Sequence, residues 1–425
     1  MSLKIGHQKS VPENKNLFAV LVLSDPPSLC KAEDWYWNKI AGVPFLLRNI
    51  LSIQEGGVKH LILFAGKNAP AIEELCRRAR NDSRVRLKLE CVSGPENLVE
   101  SVKADSGALF LDGSVLNSIT GIEATLQSGL ADKNQGTSRV LSMDPENLKS
   151  LVERIEDQGL LACLGKINFQ DLRPPTEFPQ DGALKVVFAE ADENWRLARP
   201  EDFDTVSDRL IKTSGLSNDS FMDRNFTRHV SRQLTRQIIK TPITPNQLTI
   251  VSLAVGLEAA GCFLFGGYGM SILGAGLLLL STCIDCCDGE IARLKFMESP
   301  VGKRLDIFCD NLVHVAVFFA IGMGLYGSTN KSLFILLGSL AVMGSLISFI
   351  LLSPKIVNSK SQSSHFQLSV NREKDFVDHL ANRDFTYFLF IMAMIGSLDI
   401  FIGLTAVGAN ALAGYLLYNK FKTAS

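Results

Sequence analysis

Residues 283–293 read Cys-Ile-Asp-Cys-Cys-Asp-Gly-Glu-Ile-Ala-Arg, and residues 299–310 read Ser-Pro-Val-Gly-Lys-Arg-Leu-Asp-Ile-Phe-Cys-Asp. The two aspartates of the first stretch are three positions apart and those of the second are four apart, so each pair lies on one face of a helix. A short loop joins the helices, which therefore run antiparallel as neighbours. We expect one cluster of four carboxylates: Asp285, Asp288, Asp306 and Asp310.

These four carboxylates lie in otherwise apolar sequence, which limits what they can do. Carboxylates held close together repel one another unless cations neutralise them, and inside membrane helices they normally face a cavity or a partner. Oxygen ligands favour hard divalent ions such as Mg²⁺ or Mn²⁺. We therefore predict two metal ions, which could clamp a pyrophosphate.

The chain of 425 residues divides by composition into a soluble half and an apolar half. Residues 244–425 are mostly long apolar runs, typical of a membrane domain. Lys and Arg collect on one side of these runs, so the positive-inside rule predicts a cytosolic soluble domain. The net charge of −1 gives no reason to expect nucleic-acid binding. Six spans are predicted, near 245–267, 269–295, 301–326, 332–353, 383–397 and 399–417.

The soluble half, residues 1–215, alternates apolar runs with helical patterns. Alternation of this kind predicts an α/β sheet covered by helices on both faces, a Rossmann-like arrangement. Helices are expected at Val43–Gln54 and Ala69–Arg80. The predicted strands are Phe18–Leu23, Val58–Ala65, Arg86–Val92 and Ala108–Leu111.

The connecting segment, residues 216–243, contains apolar residues at every fourth position, interleaved with arginines. This spacing predicts a basic amphipathic helix at the membrane surface. A helix packed on the soluble domain is the alternative. The apolar row consists of Phe226, Val230, Leu234 and Ile238.

The acidic segment resembles the signature of the CDP-alcohol phosphotransferase family, D-x-x-D-G-x-x-A-R followed by G-x-x-x-D-x-x-x-D. All eight fixed positions are filled in this sequence. The resemblance implies six membrane helices, a homodimer, metals held by the first three aspartates, and Asp310 serving as both metal ligand and general base. By the same resemblance, the CDP site comprises Asn246, Thr249, Asp288, Gly289, Ala292, Arg293 and Gly302.

The acidic cluster could instead be a structural ion network or the ion path of a transporter. A six-span transporter would show internal repeats or broken helices in each half, and no repeat is evident in the sequence. If the acceptor carries a phosphate, cationic side chains near the cytosolic face would bind it, although basic flanks are also ordinary at such positions. The candidates are Lys303, Arg304, Lys355 and Arg383.

The soluble half resembles the nucleotidyltransferase domain of fused enzymes of inositol-phosphate metabolism, which make CDP-inositol for their membrane domain. Residues 39–48 and 57–66 carry this resemblance, and Asp112 stands where a metal aspartate is expected. However, the loop at 24–30 contains two prolines and no glycine, and Arg196 and Ala198 occupy the region of a second metal aspartate. We therefore expect an inactive nucleotidyltransferase-like domain, because prolines remove backbone donors and an arginine repels metal.

The loss of that activity bears on the donor. Without its own CDP-inositol, the membrane domain is expected to use CDP-diacylglycerol, with inositol or an inositol phosphate as acceptor, in phospholipid synthesis at a prokaryotic inner membrane. Two alternatives stay open: a di-inositol-phosphate-type synthase that uses CDP-inositol, and a membrane binding or regulatory protein whose site is unused.

Overall fold

The structure, a computed structural model, describes residues 18–27, 30–65, 69–102, 107–130, 139–143, 145–158, 184–188, 195–215, 226–358 and 384–424. The chain divides into two compact units, Met1–Ser207 and Asp208–Ser425. The domain limits expected from the sequence, at residues 215 and 243, stay predictions.

The first unit is built on strands β1 (Phe18–Val22), β2 (Lys39–Ile40), β3 (Val43–Pro44), β4 (His60–Phe64), β5 (Lys88–Val92), β6 (Gly107–Asp112), β7 (Arg139–Met143) and β8 (Leu184–Phe188). Six of them form one sheet in the order β5-β4-β1-β6-β8-β7. Strand β1 pairs in parallel with β4 and β6, whereas β7 at the edge runs antiparallel to β8. The predicted central strands are confirmed, and Asp112 stands at the carboxyl end of one of them.

Helices α1 (Ala32–Trp37), α2 (Phe45–Glu55), α3 (Ala69–Arg80), α4 (Pro95–Ser101), α5 (Ile119–Leu130), α6 (Pro145–Gln158) and α7 (Asp202–Thr213) accompany these strands. The continuous apolar runs of the strands are buried, with Val20, Ile62 and Phe110 fully inaccessible to solvent, as expected for a covered parallel sheet. The α/β class predicted from the sequence is confirmed. The likeness to a nucleotidyltransferase stays a prediction.

The second unit contains α8 (Arg228–Ile238), α9 (Pro245–Phe265), α10 (Tyr268–Leu294), α11 (Pro300–Thr329), α12 (Leu333–Asn358), α13 (Asp384–Ile395) and α14 (Leu398–Ala424). Among the described residues, five of these helices are long and apolar enough to cross a membrane, namely α9 to α12 and α14. The chain is thus a multi-pass membrane protein. Helix α13 is apolar but short, so the count of six spans stays a prediction.

Local sequence fixes where the helices around the acidic cluster begin. At the start of α9, Thr244 and Gln247 form the capping box that their spacing predicts, and the Thr244 amide donates to Gln247 Oε1 over 2.9 Å. At the start of α11, Ser299 Oγ accepts a hydrogen bond from the Gly302 amide at 3.0 Å. Both capped ends therefore hold residues of the predicted CDP site in regular helical geometry.

Small residues bring α9 and α11 into close contact. A Cβ at Gly324 would lie 2.1 Å from the Phe263 carbonyl oxygen, and one at Gly256 would lie 2.7 Å from Val313 Cγ2. Contacts this short leave no room for a side chain. The two helices are therefore held together along their length, which limits how far α9 can move from the acidic cluster.

Candidate active site

Helices α10 and α11 bring three carboxylates together. One oxygen from each of Asp285, Asp288 and Asp306 lies within 4.8 Å of the others. The aspartates on α10 are buried, and Oδ1 of Asp306 is buried with no hydrogen-bond partner among the described residues. A buried anionic oxygen in this position is costly unless it binds a cation. The all-oxygen donor set therefore fits a hard divalent metal ion.

Asp310 lies one helical turn beyond Asp306 and is not one of the three clustered carboxylates. It lines a small cavity together with Asp285 and His314, and this cavity also contacts the hydroxyl-bearing residues Ser252, Ser281 and Thr386. Asp310 thus shares this cavity with one of the three clustered carboxylates, Asp285. The geometry therefore suits a proton acceptor, and both predicted roles of Asp310, general base and metal ligand, remain predictions.

The predicted CDP residues of α9 lie against the cluster. The Thr249 hydroxyl donates a hydrogen bond to Asp288 Oδ2, which ties α9 to one of the three clustered carboxylates. Asn246 lies beside Gly302, because a Cβ at residue 302 would come within 3.0 Å of Asn246 Oδ1. The amide of Asn246 and the bare backbone of Gly302 thus form one wall next to the carboxylates.

The guanidinium of Arg293 lies over Gly289, one turn earlier on α10. A Cβ at residue 289 would come within 3.3 Å of Arg293 Nη1, so a glycine at this position makes room for the guanidinium. Arg293 Nε donates a hydrogen bond to the Ser214 carbonyl oxygen over 3.0 Å, which orients the side chain. Ala292 lies beside it and is half-buried.

The predicted acceptor residues are located only in part. Lys303 and Arg304 are exposed in the first turn of α11, close in sequence to Gly302. Lys355 belongs to α12, but its side chain lies outside the described residues, as does the whole of Arg383. The first two are therefore exposed to solvent, and a phosphate-binding role stays a prediction for all four residues.

Glu290 is completely buried on α10 and is not among the site residues predicted from the sequence. Its Oε1 accepts hydrogen bonds from Arg228 Nη1 at 2.7 Å and Ser231 Oγ at 2.9 Å. Its Oε2 accepts one from Thr235 Oγ1 at 2.7 Å. Two signals could have revealed this network: a carboxylate in an apolar helix needs a partner, and Arg228, Ser231 and Thr235 form one polar stripe along α8.

The carboxyl end of the sheet in the first unit carries the other predicted acidic position. Asp112 Oδ1 accepts a hydrogen bond from the Ser114 amide at 2.7 Å. Burial raises the pKa of the Asp112 carboxyl, and this rise is opposed first by hydrogen bonds from Ser114 and then by the charge of Arg196. Arg196 is held nearby because its backbone bridges Val115. A cation therefore lies where the sequence resemblance leads us to expect a second metal ligand.

Part of the chain is similar to a known protein family. Residues 242–412 match the family model described as CDP-alcohol phosphatidyltransferase. The protein named "Bifunctional IPC transferase and DIPP synthase" from Thermococcus kodakarensis is 24% identical over 335 residues, which cover 73% of this chain and 76% of that protein. The "Phosphatidylinositol phosphate synthase" from Corynebacterium glutamicum is 36% identical over 88 residues, which cover 21% of this chain and 39% of that protein.

Among solved structures, the Mycobacterium tuberculosis phosphatidylinositol phosphate synthase with CDP-DAG bound is similar at 16% identity and a TM-score of 0.35. The match covers 45% of this chain and 92% of that chain. The family match includes every residue of the acidic signature, from Asp285 to Asp310. The chain therefore contains a segment, residues 242–412, that matches the CDP-alcohol phosphatidyltransferase family model.

Proposed function

We propose that the membrane domain transfers a substituted phosphate from a CDP-linked alcohol to the hydroxyl of a polar acceptor, with release of CMP. The observation that supports this most strongly is the group of three carboxylates at the ends of α10 and α11. A structural ion network would not explain why Asn246, Gly302 and Arg293 lie nearby. These residues are suited to bind a nucleotide and its phosphates.

In the proposed reaction, Asp310 accepts the proton of the acceptor hydroxyl, and the oxygen attacks the β-phosphorus of the donor. The bond from that phosphorus to the bridging oxygen breaks, and CMP leaves. Two bound Mg²⁺ or Mn²⁺ ions, held by Asp285, Asp288 and Asp306 with Asp310 as a further ligand, would balance the charge on the phosphates. The protein contributes mainly positioning and electrostatics, since Thr249 orients Asp288 and Gly289 makes room for Arg293.

For the substrates, we propose CDP-diacylglycerol as donor and inositol or an inositol phosphate as acceptor, in phospholipid synthesis. The name of the Corynebacterium relative supports this pair. The charge of Arg196, which acts on Asp112, supports a donor made elsewhere, because a nearby cation disfavours metal binding in the first unit. The name of the Thermococcus relative supports a second candidate, a di-inositol-phosphate-type synthase with CDP-inositol as donor.

We further propose a cytosolic first unit, a homodimer and a prokaryotic inner membrane as the setting. Helix α8 is suited to the membrane interface because Val230 and the preceding Phe226 are exposed, whereas its polar stripe faces the protein. Lys303 and Arg304 would bind the acceptor's phosphate. A membrane protein with an unused site is the remaining alternative, and the intact carboxylate group argues against it.

The test is CMP release by the purified full-length chain in detergent with Mg²⁺ or Mn²⁺. CDP-diacylglycerol and CDP-inositol are each offered with inositol, inositol phosphate, glycerol phosphate and serine. Release that requires CDP-diacylglycerol and an inositol-type acceptor supports the main proposal, and release only from CDP-inositol supports the second candidate. No release from either donor, with the protein folded, would favour the binding or regulatory alternative.

A further inference from the structure

Glu290 and the metal ligand Asp288 project from opposite sides of α10. They are two positions apart, which corresponds to a rotation of about 200° around a helix. Helix α8 packs on the Glu290 side, where Cys287 Sγ also contacts the Ser231 carbonyl oxygen at 3.3 Å. Helix α11, with Asp306, lies on the Asp288 side. Helix α8 therefore supports the metal-binding segment of α10 on the side opposite the carboxylates. We call its contacts through Arg228, Ser231 and Thr235 the brace.

The contact between α8 and α10 contains a buried polar network. Glu290 is completely buried, and Arg228, Ser231 and Thr235 are buried around it. Such a buried ion pair contributes little net stability, because desolvation of both charges offsets their attraction. Its main effect is specificity: the three donors of α8 meet both oxygens of Glu290 in only one register along α10. A shift of α8 would leave a buried charge unsatisfied.

We propose that Glu290 is a positioning residue for the metal site, and that the Arg228–Ser231–Thr235 stripe sets the rotation and height of α10. In that arrangement Asp288 reaches both Thr249 and Asp306. Without the brace, α10 can rotate, and its carboxylates no longer converge with that of α11. The kinetic part of this inference rests on the proposed function, whereas the metal-binding part does not.

The test uses the full-length protein and two readouts: a Mn²⁺ titration followed by electron paramagnetic resonance, and kcat and KM for CMP release. We expect Glu290→Gln to raise the half-saturating Mn²⁺ concentration at least about tenfold, as for other residues that orient metal ligands. We expect kcat to fall by a similar factor, with the donor KM changed less than about twofold. Arg236→Gln on the exposed side of α8 is the control and should leave both readouts unchanged.

A milder pair of variants covers the case in which Glu290→Gln does not fold. Thr235→Val removes one donor while keeping the side-chain shape, and we expect a Mn²⁺ shift of about threefold, the scale of one hydrogen bond. Thr235→Ser keeps the donor and should match the wild type. Unchanged Mn²⁺ binding in every folded variant would overturn the inference. If the wild type binds Mn²⁺ but releases no CMP, the proposed function fails while the titration still decides the role of Glu290.

Discussion

Each unit of the chain carries an aspartate at an expected metal position, but the charges around the two aspartates differ in sign. In the membrane unit, Asp306 has two further carboxylates beside it. In the α/β unit, Asp112 has Arg196 as its charged neighbour. An aspartate at the expected position therefore does not by itself predict a metal site. The charges around an aspartate also decide whether a metal ion can bind there.

The largest difference between the two units is expected when one carboxylate is removed from each. We expect Asp306→Asn to lower the rate of CMP release at least about 100-fold, the scale seen when a charge-stabilising group is removed, whereas Asp112→Asn should leave that rate unchanged. Steady-state CMP release with saturating donor measures both. Equal losses in the two variants, with both proteins folded, would contradict the assignment of the reaction to the membrane unit.

A smaller effect on donor binding is expected at Asn246 and Gly302. Gly302→Ala adds a Cβ that lies 3.0 Å from both Asn246 Oδ1 and Ser299 Oγ, so the Asn246 side chain must move. We expect the donor KM to rise about tenfold, the worth of roughly one displaced polar contact, with kcat much less affected. Gly276→Ala on α10, where the added Cβ meets nothing within 4 Å, is the matched control. A fall in kcat alone would argue against a nucleotide contact.

A still smaller effect is expected for Arg304, a candidate to bind the phosphate of the acceptor. Arg304 is exposed, so its attraction to a phosphate is screened by solvent. We expect Arg304→Gln to raise the KM for inositol phosphate about threefold and to leave the KM for inositol unchanged. Acceptor titrations at fixed donor separate the two cases. An equal change for both acceptors would show that Arg304 does not bind the phosphate.

The smallest effect concerns the stability of the α/β unit. Burial raises the pKa of Asp112 in the folded state, so the folded protein is more stable when this carboxyl is protonated. That contribution to stability is lost as the pH rises through the pKa of the folded state. We therefore expect Asp112→Asn to raise the melting temperature on the order of 2–4 °C at neutral pH. The difference should shrink as pH falls toward the ordinary carboxyl pKa. A lower melting temperature at neutral pH would mean that the charged form is stabilised instead.

Much of this architecture can be predicted from sequence, because it depends on local periodicity. The strand Phe18–Val22 and the helix Ala69–Arg80 follow from apolar patterns, and the start of α9 follows from the capping residues around Thr244. The meeting of Asp285, Asp288 and Asp306 was predictable as well, because a short loop between two helices forces their acidic faces together.

What the sequence did not reveal depends on long-range contacts. The buried bonds from Arg228 and Thr235 to Glu290 join residues 62 and 55 positions apart, and no local pattern predicts which helix a polar stripe will face. The hydrogen bond from Arg293 to the Ser214 carbonyl oxygen is of the same kind. The sequence pattern indicates the apolar row of α8, whereas the opposite, polar face of α8 binds Glu290 on α10.

The orientation of α8 also determines where the chain can be cut. A fragment that ends at residue 243 would remove α8 from Glu290, so Arg228 would lose its carboxylate and the apolar row with Phe226 would remain exposed to water. Such a fragment is expected to aggregate, and the membrane half left behind would contain a buried acid without its partners. A useful division for separate expression therefore lies before Ser214, so that α8 and the Ser214 carbonyl that binds Arg293 are both produced with the helices that follow.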